Sequence, residues 1–312
     1  MVKFGVRKGF QRYQCRVCKR TRSDIPENPL VNLRVPFEKA VQVVHLLCEG
    51  MGIRAIERFT QLNRRTALGI LEVAGQKAAR LLDFQIRDVE VESVQCDELF
   101  AFVGCKEYNN KSKDPELGTQ YTFLAVDRKS KLIMSHFIGK RDKESCDIFM
   151  ADLRTRLKGR SQVTSDGFLG YLPAMHNNFG ANVDFAQQVK TYANIGGHSN
   201  PVADERRYSV AKGCLTVKNH IHIGKPERSL ISTSHVERTN LSVRLFNRRF
   251  TRLTLGYSKK LTNLKHAVAL FIAHFNFCRV HSAHGMTPAM NAELTNHVWT
   301  IEELFYQPCD TP

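Results

Sequence analysis

The hydrophobic pattern of the chain changes its period near Asp83, and this change limits the folds that the chain can adopt. Before that point, apolar residues recur at the helical spacing of three and four positions. After it, short apolar stretches with strand character are followed by a mixed region and then by two further helical stretches. This order is typical of an α/β domain, here preceded by a small helical segment.

Residues 31–85 have the outline of a helix-turn-helix DNA-binding domain. The apolar spacing predicts a first helix, a short second helix and a long third helix that Asn63 caps. The first residues of such a third helix usually contact base edges. The candidate DNA contacts are therefore Asn63, Arg64 and Arg65. Helix capping and solubility are the alternative interpretation of each of them.

A larger domain follows, which we place at about residues 90–290. Its predicted strands lie at 89–104, 120–127, 131–139 and 161–167. Its predicted helices lie at 146–157, 234–250 and about 259–279. We expect residues 184–230 to form an irregular insertion, because they are polar and contain Gly and Pro. Residues 291–312 remain as a C-terminal tail.

The charge of the chain indicates a polyanionic partner. The chain has 46 Lys and Arg against 30 Asp and Glu, a net charge of +16. This excess suits double-stranded DNA and argues against an acidic small-molecule enzyme or a secreted scaffold. No apolar run approaches the ~18 residues that span a bilayer, and the basic start has no apolar secretory segment. The nine scattered cysteines do not resemble a disulfide framework, so we expect a cytoplasmic protein without a membrane partner.

Three acidic residues lie where an acid is costly without a function. Asp97 lies within a predicted strand, Asp166 ends another, and Glu237 opens a helix whose other charges are positive. Two carboxylates at strand positions and a third on a later helix can converge on Mg²⁺ or Mn²⁺, which prefer oxygen ligands. Taken singly, each of these acids is explained as well by a solvated surface or an ion pair.

Several segments together resemble the bacterial DDE transposases of the insertion-sequence-one family. The three main blocks are CDELFAFVGCK (96–106), TSDGFLGY (164–171) and STSHVERTNLSVR (232–244). The supporting stretches are RRFTRLT (248–254), HFNFCRVH (274–281) and TPA (287–289). The resemblance implies a ribonuclease-H-like catalytic core with a catalytic, Mg²⁺-binding triad. The residues that match the triad are Asp97, Asp166 and Glu237.

The resemblance also implies a function, namely DNA-mediated transposition of an insertion sequence. Such an enzyme binds the terminal inverted repeats, cleaves by metal-activated hydrolysis and joins the 3′-hydroxyl ends to target DNA. We expect a homo-oligomer on DNA in the bacterial cytoplasm, associated with the nucleoid. Two other hypotheses stay open: a catalytically silent truncated copy that acts as a DNA-binding repressor, and a ribonuclease-H-like nuclease that cuts but does not join.

The helix that Glu237 opens is predicted to carry a basic stripe. Asn240, Arg244 and Arg248 follow Glu237 at i+3, i+7 and i+11, on one side of a helix. Arginine suits DNA because its planar guanidinium can bind two phosphate oxygens at once. We therefore predict these three residues as DNA contacts, with a solvated basic surface as the alternative.

Other polar residues near the three acids receive different interpretations. Glu98 competes with Asp97, but adjacent strand residues point to opposite faces, so we expect Glu98 to form an ion pair or to support the site from outside. Asp127 is interpreted as a turn residue. Three further candidates to line the site fall in the predicted insertion, and nothing in the sequence indicates their direction: Gln187, Lys190 and Tyr192.

A CxxC motif of Cys15 and Cys18 lies in the basic arm at residues 1–30. Its surroundings resemble the second half of the zinc ribbon of the same transposase family. A closed tetrahedral zinc site needs four ligands, and the other CxxC would precede the first residue. We therefore expect a partial zinc-ribbon-like arm and do not expect Zn²⁺ as a cofactor. His45 and Cys48 lie on a predicted helix and are poor substitutes as ligands.

Overall fold

The computed structural model describes residues 1–7, 10–23, 30, 35–192, 214–252 and 254–307. Its strands are β1 (Val2–Arg7), β2 (Phe10–Gln14), β3 (Thr21–Ser23), β4 (Ser93–Val103), β5 (Gly118–Asp127), β6 (Ile133–Gly139), β7 (Ser161–Ser165), β8 (Val183–Tyr192) and β9 (Cys214–Ile223). Its helices are α1 (Phe37–Cys48), α2 (Ile53–Thr60), α3 (Arg64–Gln85), α4 (Lys143–Arg156), α5 (Tyr171–Phe179), α6 (Ser234–Phe246), α7 (Leu261–Ala273), α8 (Pro288–Asn291) and α9 (Ile301–Tyr306). Within these ranges, no helix is long and apolar enough to cross a membrane.

A mixed six-stranded sheet forms the centre of the fold, in the order β6-β5-β4-β7-β8-β9. Strand β5 is antiparallel to both β4 and β6, β7 is parallel to β4 and β8, and β9 is antiparallel to β8. The predicted α/β class is therefore confirmed. The mixed sheet is also consistent with the ribonuclease-H-like core that the resemblance implies.

Strand β4 lies at the centre of this sheet and carries two of the candidate acids. It pairs with β5 over most of its length, but its pairing with β7 ends where Cys96 lies beside Ser165. A central strand is buried on both sides, which explains its apolar residues. Beyond the Cys96–Ser165 pair, no strand of the described residues pairs with the side of β4 that faces away from β5, until Val103 bridges to Ser258. We call this stretch the open side of β4.

The predicted irregular insertion at 184–230 is wrong at residues 184–192 and 214–223, whereas residues 224–230 contain no strand. Strands β8 and β9 form an antiparallel pair and extend the central sheet. Strand β8 is buried where Phe185 and Ala186 pack in the core, whereas β9 lies at the sheet edge with mostly exposed residues, half of which are polar. The polar residues of this edge strand, together with the Gly and Pro of the surrounding segment, hid the strand pattern. Residues 193–213 of the predicted insertion lie outside the described residues.

The helices predicted between residues 31 and 85 are present, and the last of them packs on the domain that contains the central sheet. Asn63 caps α3 by accepting a hydrogen bond from the Arg65 amide at 2.9 Å. Helix α3 lies along α7, and Gly75 allows the close approach: a Cβ on Gly75 would lie 2.4 Å from the Cβ of His266. In addition, the buried Arg156 donates to the carbonyl of Leu82. The helical segment is therefore continuous with the core.

The two ends of the chain contain further structure. Strands β1, β2 and β3 form a small antiparallel sheet, with the CxxC in the turn after β2. Residues 24–29, at the end of the basic arm, lie outside the described residues. At the other end, the predicted tail includes α9. The indole of Trp299 stacks on Phe277 with ring centroids 4.3 Å apart, and Tyr306 contacts Phe37. The described part of the tail is thus packed.

Gly75→Ala tests the packing of α3 on α7. The added methyl group overlaps the backbone of His266, so we expect the free energy of unfolding to fall by about 1–3 kcal/mol. Gly69→Ala in the same helix is the control, because a Cβ there meets nothing within 4 Å. Removing a helical glycine should stabilise that variant by about 0.5–1 kcal/mol. Urea unfolding measures both values, and equal effects would contradict the close contact.

Candidate active site

Three carboxylates meet at the open side of β4. One oxygen atom each of Asp97, Glu98 and Asp166 lies within 4.8 Å of the other two. Asp166 follows Ser165 directly, so the end of β7 places it beside the next residues of β4. Among the described residues, this is the only group of three or more possible metal ligands that approach one another so closely.

The position of Glu98 corrects the sequence prediction that only one of the two adjacent acids faces the metal. Both Glu98 and Asp97 have a carboxylate oxygen near Asp166. The physical reason is that β7 has ended here, so Asp166 lies beside the open side of β4 and is reached from both of its faces. Glu98 also forms the predicted ion pair, because it accepts a hydrogen bond from Arg141 at 3.0 Å.

Arg141 connects the carboxylates, and sequence reasoning missed it. Its guanidinium lies 3.0 Å from Glu98 and 3.3 Å from Asp166, and its carbon is 4.3 Å from the centroid of the Phe168 ring. Arg141 lies between β6 and α4, far from the acids in sequence. No pattern around it distinguishes it from the other basic residues, so only the folded chain identifies it.

Burial and mutual repulsion make this cluster a good site for a divalent cation. Burial, followed by the charge of Asp166, raises the pKa of both Asp97 and Glu98 to about 7. A divalent cation would stabilise the ionised forms, and the set of carboxylate oxygens matches the preference of Mg²⁺ and Mn²⁺. The residues present therefore fit such an ion.

Glu237 lines a groove together with Asp97 and Glu98, but its carboxylate is bound by other residues than Arg141. Its Oε1 accepts hydrogen bonds from Lys190 Nζ at 2.5 Å and from Thr233 Oγ1 at 2.6 Å. The charge of Glu237 contributes to the raised pKa of Asp97, which shows that the two are near each other. The structure thus joins Asp97 and Asp166 in one cluster, with Glu237 beside it and paired to Lys190.

Two hydrogen-bonded connections hold α6 against β4. The side chain of Gln95 accepts hydrogen bonds from the backbone amides of His235 at 2.8 Å and Val236 at 3.2 Å. Two residues further along β4, Asp97 accepts a hydrogen bond from Asn240 at 2.7 Å. Gln95 is fully buried, and its side-chain oxygen is the acceptor for two amides of the first turn of α6, which have no acceptor within the helix. It therefore positions the helix that carries Glu237.

Gln95 has a sequence signal that was overlooked. It is a polar residue in a buried strand, on the same side of that strand as Asp97, two positions away.

Gln187, a candidate from the sequence, has a comparable role. It donates to the carbonyls of Asp166 at 2.7 Å and Phe168 at 3.1 Å, and so holds the turn after β7. The side chain of Tyr192 lies outside the described residues.

Two of the predicted DNA contacts on the Glu237 helix need correction. Asn240 is buried and bonded to Asp97, so it faces the acids. Arg248 does not continue the stripe, because α6 ends at Phe246. Asn247 is extended there, and its side chain starts a new turn by accepting a hydrogen bond from the Arg249 amide at 3.3 Å. Arg244 does lie on α6 and lines the groove beside the acids.

The remaining predicted residues lie away from the carboxylates. Arg64 and Arg65 are exposed at the start of α3, as a DNA contact requires. Asp127 is buried and accepts a hydrogen bond from the Ser130 amide at 2.7 Å, which confirms its interpretation as a turn residue.

The CxxC forms a tight turn without further metal ligands beside it. The Cys15 amide donates to the carbonyl of Arg20 at 2.8 Å. Hydrogen bonds from the backbone of Cys18 and Val17 lower the pKa of the Cys15 thiol. In the described part of the chain, no third candidate ligand joins these two cysteines. His45 and Cys48 are on α1, as predicted, and Cys48 is buried in the core.

No protein-family model matches this chain, and no curated protein matches it. Among solved structures, the chain is similar to piggyBac transposase in a cryo-EM structure of its synaptic complex with hairpin DNA. The similarity covers 87% of this chain and 70% of that chain, with a TM-score of 0.39 and 9% sequence identity. At this distance it identifies neither a family nor a function for this chain, and the insertion-sequence-one family is not shown by it.

The raised pKa values predict a pH dependence of stability. A carboxyl whose pKa is higher in the folded than in the unfolded state destabilises the fold as pH rises from about 4 to 7. Asp97→Asn should reduce this decline in the free energy of unfolding. Between about pH 4 and 7 the variant should lose less stability than the native protein, by on the order of a few kcal/mol, because each unit of pKa shift corresponds to about 1.4 kcal/mol. Urea unfolding across this pH range measures it. Asp184→Asn, whose carboxyl has a lowered pKa, is the control that should leave the decline unchanged.

Gln95→Leu tests whether Gln95 positions the cation site. The substitution leaves two helix amides without an acceptor, so the free energy of unfolding should fall by about 1–3 kcal/mol for each amide. It should also raise the Mg²⁺ concentration that gives half of the metal-induced increase in Tm. Gln95→Glu keeps the acceptor and should lie closer to the native protein. Gln162→Leu is the matched control: it removes a buried glutamine that accepts from the Glu227 amide at 2.8 Å, remote from the carboxylates. It should lower Tm without changing the Mg²⁺ dependence, and the same change in both variants would contradict a positioning role.

Proposed function

We propose that this protein is a divalent-metal-dependent DNA transposase, a polynucleotidyl transferase of the DDE type. The observation that carries the proposal is the cluster of Asp97, Glu98 and Asp166 at the point where the pairing of β4 with β7 ends, beside a basic helix. The sequence blocks that surround Asp97, Asp166 and Glu237 support it, because they resemble those of the insertion-sequence-one transposases. The proposed catalytic triad is Asp97, Asp166 and Glu237.

The proposed cation ligands are the triad carboxylates, with Mg²⁺ or Mn²⁺ as the ion. When bound, the ion supplies activation of the attacking oxygen and stabilises the leaving oxygen of the phosphodiester. Asn240 orients one oxygen of Asp97, and Gln187 holds the turn that carries Asp166. Lys190 balances the charge of Glu237 through its ammonium group. These contacts keep the carboxylates in place before a phosphate group approaches.

The basic segment around α6 is the proposed path of the DNA. From Arg228 to Lys265 the chain has nine basic residues, and Glu237 is the single acid. Arg244 lies in the groove with the carboxylates, where its guanidinium can bind a phosphate. We assign recognition of the terminal inverted repeats to the helices of residues 31–85, through Arg64 and Arg65. We assign the joining of the 3′-hydroxyl to target DNA to the carboxylate site that also cleaves. This step takes place within a homo-oligomer on DNA in the nucleoid.

A DNA-binding repressor without catalytic activity is the second candidate. It is favoured by the ion pairs of the acids, since Arg141 contacts Asp166 and Lys190 contacts Glu237. These cations balance the carboxylates without a metal. A protein that binds the inverted repeats but never cleaves them in Mg²⁺ or Mn²⁺ would favour this candidate.

Asp166→Asn separates catalysis from DNA binding. Asparagine keeps an oxygen that can accept from the Phe168 amide, at 3.0 Å in the native turn, but it lacks the charge that a hard cation requires. We expect cleavage and strand transfer in Mg²⁺ to fall to background, with DNA affinity unchanged or slightly higher. The assay uses DNA that carries the inverted repeats flanking the gene.

Asp184→Asn is the matched control for this experiment. Asp184 also forms an ion pair with an arginine, Arg160, at 2.7 Å, but it lies on β8 outside the carboxylate cluster. This variant should cleave and join DNA like the native protein. Strand transfer by Asp166→Asn would contradict the assignment of the triad.

A further inference from the structure

An apolar surface lies on the outer side of α6. Leu241 and Leu245 are 54% and 69% exposed, and Val280 is 50% exposed. The three line a groove of about 340 Å³, together with the rings of Phe246 and Phe275. Single exposed apolar residues are common, but a contiguous apolar surface in a groove indicates a binding site.

This groove is continuous with the candidate active site. Arg238 and Leu241 line both the apolar groove and the groove that contains Asp97 and Glu237. At 1.5 Å per helical residue, Leu241 and Leu245 lie about 6 and 12 Å beyond Glu237 along α6. These distances correspond to about two to four rises of ~3.4 Å in a DNA strand. A nucleotide close to a reacting phosphate can therefore reach the groove.

The charges at the rim of the groove suit a phosphate. Arg238 forms no hydrogen bond or ion pair through its guanidinium with any other part of the chain that the structure describes. Arg279 also lines the groove. Its guanidinium carbon lies 3.4 Å from the centroid of the Phe246 ring, and its guanidinium pairs with the exposed Glu49 at 3.6 Å, so Arg238 is the cation that is left for a phosphate. No acidic residue lines the groove. Cations at the rim and apolar groups within form the complement of one nucleotide, which has an anionic phosphate and a flat apolar base.

We propose that this groove binds an unstacked nucleobase of the DNA strand that the active site processes, with Arg238 beside the adjoining phosphate. The inference rests on the proposed DNA-processing function and adds a binding site to it. Unstacking a paired base is energetically unfavourable, and the penalty is smallest for a base that is already unpaired. The protein should therefore prefer DNA with an unpaired base over a fully paired duplex.

The test compares two DNA probes in EDTA, where no cleavage takes place. One is a fully paired duplex, and the other is the same duplex with a single unpaired 2-aminopurine. We expect the native protein to bind the second probe roughly tenfold more tightly and to change the fluorescence of its 2-aminopurine. The double variant Leu245→Ala, Val280→Ala changes two residues that line only the apolar groove. It should lose both effects and keep its affinity for the paired duplex within about twofold.

Leu255→Ala is the matched control. Leu255 is 87% exposed in the connection between α6 and α7 and does not line the groove. This variant should bind both probes like the native protein. Circular dichroism and Tm confirm that the variants are folded, which we expect because all of the substituted side chains are exposed.

Three outcomes would overturn the inference, and they separate it from the proposed function. Equal, salt-dependent binding of both probes by the native protein would remove the base site and leave DNA processing intact. A change in oligomeric state of the double variant by light scattering, with the preference for the unpaired base kept, would instead make this surface an interface between copies of the chain. Failure of the native protein to bind either probe would overturn the proposed function as well.

Discussion

The point where β4 and β7 stop pairing determines the arrangement of the candidate site. Their parallel pairing ends at Cys96 and Ser165, and the next residue of each strand is an aspartate. Because β7 turns away there, the carboxylate of Asp166 lies beside β4 rather than above or below it. The same geometry admits Glu98: Asp97 and Glu98 point to opposite faces of β4, and Asp166 is reached from both.

Electrostatic repulsion within this cluster accounts for the contacts around it. Burial and the neighbouring charges raise the pKa of Asp97 and Glu98 to about 7, so the ionised cluster is unfavourable without a cation. Arg141 supplies one positive charge, between Glu98 and Asp166. Folding thus brings together acids that a divalent cation would stabilise, and this conflict between stability and charge is common at functional sites.

The helix that carries Glu237 depends on the central sheet for its position. Gln95 and Asp97 of β4 hold its first two turns, and its outer side remains free to contact another molecule. The helical segment predicted to bind DNA is joined to the same core, because Gly75 brings α3 against α7. The helices proposed to bind DNA, the candidate active site and the apolar groove therefore lie on elements that share one packed core.

Local patterns in the sequence determined most helices, the four strands β4 to β7, the cap at Asn63, the turn at Asp127 and two members of the carboxylate cluster, because each depends on residues within a few positions. Tertiary structure alone decided the rest. Strand β9 is exposed because it lies at a sheet edge, and the ends of α6 depend on Gln95 and Asn247. Likewise, Glu98 and Arg141 join the site through strand register and a contact 43 positions apart in sequence. Hydrophobic periodicity reports which side of an element is buried, but it does not report which elements meet.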